Sequence, residues 1–113
     1  MAIQEPTFLI LTSLAEGRKH GYALIKDAHQ LSDGRVTLKV GTLYAALDRL
    51  AADGLIAKAG EEVVDGRLRR FYELTGEGQQ QLADEAARMA ELAKRATARL
   101  QAARPVTTRL ASA

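Results

Sequence analysis

A mainly helical domain bearing one small β-hairpin, followed by a single long helix, is the fold class this sequence predicts. Three observations carry it. Apolar residues recur at helical spacing in three short stretches before residue 54. Asp65-Gly66 then separates two strand-like stretches, and this dipeptide suits a two-residue hairpin turn because both positions tolerate positive φ. Beyond residue 79 the chain becomes alanine-rich and heptad-patterned.

The elements follow in order. Pro6 suits a first helical position, where its missing N–H costs nothing. Phe8, Leu9, Leu11, Leu14 and Ala15 form a helical apolar face that stops at Gly17. Tyr22, Leu24, Ile25, Ala28 and Leu31 predict a second helix, ended by Asp33-Gly34. Val36-Thr37-Leu38 alternates briefly and reads as a short strand. Leu43, Leu47, Leu50 and Ala51 mark a third helix that ends at Asp53-Gly54, with glycine as the left-handed stop.

Leu55 to Val64 and Arg67 to Leu74 are the two hairpin strands. On the second, Leu68, Arg70, Tyr72 and Leu74 share one face, and Arg67, Arg69, Phe71 and Glu73 the other. Thr75 is a good N-cap for the last helix, although Gly76 and Gly78 weaken its start. Leu82, Ala86, Met89, Ala93, Ala96, Leu100 and Ala103 alternate spacings of four and three over three heptads. Pro105 ends the helix, and residues 105–113 read as a disordered tail. The organisation predicted is a domain over 1–78, a dimerisation helix over 79–104 and that tail.

Composition narrows the function. The chain has 113 residues, no Cys and no Trp. That excludes a disulfide framework, a thiolate zinc site and a thiol nucleophile, and is too short for an ordinary doubly wound or barrel enzyme. His20 and His29 have no zincin spacing, and Asp27 and His29 do not face each other on a helix. No glycine-rich phosphate loop follows a strand. Neither catalysis, a metal nor a cofactor is expected. No apolar run approaches the roughly 20 residues of a membrane span, and the N-terminus lacks the pattern of a signal peptide, so a cytoplasmic protein is expected.

Charge is less decisive. The formal net charge is +2. Residues 1–81 carry 10 basic and 11 acidic side chains, and residues 82–113 carry 6 and 3. Any case for nucleic acid therefore rests on where the charges lie.

Three short helices hide a lone hairpin's apolar face only if it packs across them. That arrangement is a winged helix-turn-helix, with the second and third helices as the turn pair and the hairpin as the wing. Four stretches resemble the PadR family of bacterial transcriptional regulators. They are His20-Gly21-Tyr22, Gly41-Thr42-Leu43-Tyr44, Leu47-x-Arg49-Leu50-x-x-x-Gly54-Leu55-Ile56, and Arg69-Arg70-Phe71-Tyr72-x-Leu74-Thr75-x-x-Gly78. The resemblance spans residues 20–78. It implies a homodimeric repressor of double-stranded DNA, with one winged domain and one dimer helix per subunit. It also implies a small hydrophobic or phenolic effector bound between domain and dimer helices. Departures are visible: Lys39 and Val40 stand where many members have Ser and Pro, and Ala45 and Asp48 where many have basic residues. A drug pocket built on stacked Trp rings does not carry over.

The residues suit DNA binding in three places. The start of the third helix offers N–H groups to a phosphate beside Lys39, with Gly41 for close backbone approach, Thr42 and Tyr44 as hydrogen-bonding groups and Arg49 further along. The bland alternative is that Thr42 caps the helix and Tyr44 packs under the second helix. The wing carries Arg67, Arg69 and Arg70 near its tip, either for phosphates or for pairing with Glu61, Glu62 and Asp65. Arg18, Lys19, His20 and Tyr22 open the second helix, either beside the DNA backbone or as a cap and a core ring. Dimerisation is assigned to Phe8, Leu82, Ala86, Met89, Ala93, Ala96 and Leu100, with Ile3 and Leu9 adding contacts because the small seam residues bury little. The competing function is a winged-helix module that binds protein and never touches DNA.

Overall fold

Residues 3–112 are described by the computed structural model, with side chains over 3–103. Pro6 lies in the first turn of α1 (Glu5–Leu14), as its missing donor favours. A two-residue strand, β1 (Lys19–His20), leads directly into α2 (Gly21–Leu31). Asp33 and Gly34 take left-handed backbone (φ 53° and 80°) and turn the chain toward α3 (Val40–Ala52). The hairpin is β2 (Ile56–Val64) and β3 (Arg67–Leu74), joined at Asp65 and Gly66 with φ of 52° and 75°. These are the positive values a type I′ turn requires. The last element is α4 (Gly76–Ser112).

Within the unit Met1–Ala83 one apolar core is shared by every helix and by the base of the hairpin. Ile10 and Leu11 of α1, Leu24 of α2, and Leu43 and Leu47 of α3 are wholly buried. Each contributes on the order of 1.5–3 kcal/mol of transfer free energy. Ile56 and Tyr72 bring the hairpin base into the same core. The three-stranded sheet has order β1-β3-β2, all antiparallel. Its β2–β3 register runs from Ile56 opposite Leu74 to Val64 opposite Arg67, interrupted between Lys58 and Glu61.

Four expectations change. Val36 to Leu38 forms no strand. The Ser32 hydroxyl accepts the Val36 N–H at 2.9 Å and Leu38 is buried, so the stretch is a packed connection. The free edge of β3 pairs instead with Lys19 and His20, opposite Tyr72 and Phe71. Leu9, read as an inter-subunit contact, is 8% exposed in the core of its own domain. Gly78 is no mere weakness: a Cβ there would overlap the Leu55 carbonyl, so glycine lets α4 start against that loop. Thr75 caps the start as expected, accepting the Gly78 N–H at 3.0 Å and donating to the Gly54 carbonyl at 2.6 Å.

α4 runs through Pro105, where the sequence reading ends it. Proline removes a single N–H from the ladder while its φ remains helical, and the alanines, arginines and leucine around it favour helix. Of the tail expected over 105–113, residue 113 lies outside the described residues. Within the unit Asp84–Ala113, Arg88 holds Glu85 through two bonds of 2.6 and 3.0 Å, and Arg95 meets Glu91 at 3.3 Å. Ala86, Met89, Ala93, Ala96 and Leu100 are exposed. Leu82, at the end of the first unit, packs partly buried on that unit's core, as does Ile3, while Phe8 is half-buried on α1.

Candidate nucleic-acid interface

Two helix starts and the wing supply the candidate residues. At the start of α2, His20 is the N-cap, and its Nδ1 accepts the Ala23 N–H at 3.2 Å. Gly21 follows because the Tyr44 phenol of α3 lies there: a Cβ at Gly21 would come within 2.6 Å of the hydroxyl oxygen. Tyr44 is 36% exposed and Tyr22 74%, so Tyr44 packs against α2 with its edge open, and Tyr22 stands outward.

The start of α3 is built differently. Lys39 is its N-cap residue and makes no side-chain cap bond. The first intrahelical bond of α3 is donated by the Leu43 N–H to the Lys39 carbonyl (2.9 Å), which leaves the N–H groups of Val40, Gly41 and Thr42 ahead of the ladder. All three residues are exposed, and nothing stands within 4 Å of where a Cβ on Gly41 would be. Thr42 is therefore no N-cap. The unsatisfied donors and the partial positive charge of the helix end point into open space.

Charge pairing sorts the basic residues. Lys19 turns inward and bonds the Ser13 carbonyl (2.7 Å) and Asp27 (3.0 Å). The Ser13 hydroxyl, which donates to Asp27 at 2.6 Å, and the lysine both hold the Asp27 carboxyl below its ordinary pKa. Arg18 bonds Glu62 at 3.0 Å and lies over the Phe71 ring at 4.2 Å. Arg70 lies 3.8 Å from Glu61. Among the described residues of the first unit, Lys39, Arg49, Arg67 and Arg69 are in no ion pair, and neither are Lys26, Arg35 and Lys58. The wing thus pairs one of its three arginines internally and leaves two for an outside anion.

A cleft of about 300 Å³ gathers Tyr22, Tyr44, Arg67, Arg69 and Arg70 with His20, Gly21 and Leu68. Arg49 is not part of it. It lines a second cleft of about 580 Å³ beside Thr7, Asp53 and Glu77. Lys39, Gly41 and Thr42 border neither cleft.

Spacing did not reveal one contact: the His20 Nε2 is 3.1 Å from the Arg69 Nη1. It exists because β1 lies on β3. Burial and then the Arg69 charge hold the imidazole pKa below its ordinary value, against the opposing pull of Glu62. The signal available in the sequence was His20 itself, read there as a cap or backbone-side residue, and the structure shows the cap. No group of three or more metal-binding side chains occurs among the described residues.

Comparison with known proteins places this geometry. The model of the Transcriptional regulator PadR-like family matches residues 10–84. A transcriptional regulator of Mycobacterium tuberculosis is 39% identical over 85 residues, which cover 75% of this chain and 76% of that protein. The crystal structure of a PadR family transcription regulator from Clostridium difficile superposes with a TM-score of 0.70 at 28% identity, covering 86% of this chain and 99% of that one. Bacillus subtilis PadR in complex with operator DNA shares the fold at a TM-score of 0.60 and 24% identity, over 69% of this chain and 44% of its own.

Proposed function

Since the chain belongs to the Transcriptional regulator PadR-like family, a family of DNA-binding regulators and not of enzymes, we propose that it represses transcription by binding a palindromic operator as a homodimer. α3 enters the major groove with Thr42 and Tyr44 toward base edges, Gly41 close to the backbone and Lys39 at a phosphate. Arg49 reaches a phosphate from the last turn of α3. The wing follows the neighbouring backbone through Arg67 and Arg69, with Arg70 exchanging Glu61 for phosphate, and Tyr22 donates its hydroxyl from the start of α2.

The observation that carries this reading is the sorting of charge. Five cations without an ion pair among the described residues, Lys39, Arg49, Lys58, Arg67 and Arg69, lie on α3 and the wing, with Lys26 of α2 and Arg35 of the α2–α3 connection also unpaired, while Arg18 and Lys19 are spent on internal carboxylates. The relative from Bacillus subtilis, solved with operator DNA, supports it by analogy.

The second copy attaches through α4, whose Ala86, Met89, Ala93, Ala96 and Leu100 are exposed at heptad spacing, with Leu82 and Phe8 extending the seam. Two winged domains then meet half-sites about one helical turn (~34 Å) or a multiple apart. A small hydrophobic effector that releases the DNA is carried by the family resemblance.

The test is a gel shift with the inverted repeat upstream of the protein's own gene. Retardation that weakens as salt rises is expected, and Arg69→Glu should lower affinity for every duplex sequence. Unchanged binding by Arg69→Glu at moderate salt would remove the wing from the interface. A monomer at micromolar concentration would remove the heptad seam.

A further inference from the structure

His20 meets two donors with one lone pair. Its Nδ1 faces the Ala23 N–H at 3.2 Å and its Nε2 faces the Arg69 guanidinium at 3.1 Å. A neutral imidazole carries one acceptor nitrogen and one N–H. With the proton on Nε2, the helix cap is made and two donors abut at Arg69. With the proton on Nδ1, Arg69 is satisfied and the cap is lost. An imidazolium satisfies neither. No state of the ring serves both neighbours without an acceptor placed between His20 and Arg69.

The surroundings favour the capping tautomer and an external acceptor. His20 is half-buried, edge-on to Phe71 with ring centroids 5.4 Å apart. The charged groups around it are Arg69 on β3, Glu62 on β2, and Arg18, which lies on Phe71 and is paired with Glu62. Arg67, Arg70, Tyr22 and Tyr44 line the same cleft. Glu62 is opposite Arg69 in the strand register yet is bonded to Arg18 instead. The depressed pKa keeps the ring neutral at physiological pH.

We propose that His20 is itself a DNA-binding residue: its Nε2–H and the Arg69 guanidinium together grip one backbone phosphodiester, while Nδ1 keeps the cap of α2. The phosphate oxygen supplies the missing acceptor and turns a donor–donor clash into two hydrogen bonds. The wing and the start of α2 are thereby clamped onto one strand. This inference rests on the DNA-binding reading above and adds a residue and a tautomer to it.

Two substitutions separate the roles of the ring. His20→Asn keeps a strong N-cap and loses the distal donor. His20→Gln places an amide N–H near the position of Nε2. With the operator duplex selected from a random pool by the wild-type protein, His20→Asn should fold with an unchanged melting temperature and bind roughly 5- to 10-fold more weakly per half-site. Its slope of log affinity against log salt should equal that of wild type, because a neutral donor releases no counterion, whereas Arg69→Ala should lose about one unit per half-site. His20→Gln should recover much of the affinity. Imidazole nitrogen-15 spectra of the complex should show His20 protonated at Nε2 alone.

Wild-type binding retained by His20→Asn would overturn the proposal, and so would a salt slope that falls in that variant or a His20 protonated on both nitrogens in the complex. If the wild-type protein selects no duplex at all, the DNA-binding reading itself fails, which is a separate result.

Discussion

The starts of α2 and α3 both carry candidate DNA-binding residues, and they are finished in opposite ways. The start of α2 is closed: His20 caps it, Gly21 admits the Tyr44 phenol, and β1 ties it to β3. The start of α3 is open: Lys39 forms no cap, three N–H groups precede the ladder, and Gly41 faces empty space. A capped end contributes about 1 kcal/mol to a helix. Leaving α3 without one costs stability, and that cost is sensible where a phosphate is to provide the missing acceptor.

The two glycines give the sharpest break of this comparison. Gly21→Ala forces Tyr44 aside, and a loss of roughly 1–3 kcal/mol in denaturant unfolding is expected from overpacking. A variant that unfolds like wild type would show that α2 and α3 do not need this close approach. Gly41→Ala should act in reverse. It places alanine in a helix with no steric conflict, so stability should rise by about 0.5–1 kcal/mol. DNA affinity should nevertheless fall, because the methyl group stands where the backbone would approach the duplex. If affinity instead follows stability upward, Gly41 has no part in close approach.

The smallest effect is pH dependence of the closed end. His20 has a depressed pKa in the folded protein, so the native state binds fewer protons than the unfolded chain in the window just below about 6.5. The stability from this group is present above that value and is lost as pH falls toward the folded pKa. Asp27 behaves likewise at lower pH, since its depressed pKa contributes stability above about 3.9 that is lost on further acidification. In thermal melts, His20→Asn should flatten the first window and leave the second. A first window that persists in this variant would assign it to another group.

Much of this was legible in local pattern. The Asp65-Gly66 turn, the three helical faces, the Thr75 cap and the candidate residues of α3 and the wing follow from spacing and turn chemistry. What local pattern missed was long-range. Local spacing left Arg18 and Lys19 beside a helix start with no partner named, and only the fold brings them to Glu62 and Asp27. Leu9 read as a seam residue because one helix face carries both core and surface apolar positions. Gly78 read as a defect because its neighbour, Leu55, is distant in sequence.

The sequence by itself determined which elements form, because helix periodicity, capping and hairpin turns are set by residues a few positions apart. It also determined the family, since four short motifs in order are enough. The tertiary structure alone decided which cations stay free, which glycine is filled and which is open, and that His20 meets Arg69. Those outcomes depend on how α2 and β1 lie against β3, and an ion pair or a donor clash between residues 49 positions apart has no trace in local spacing.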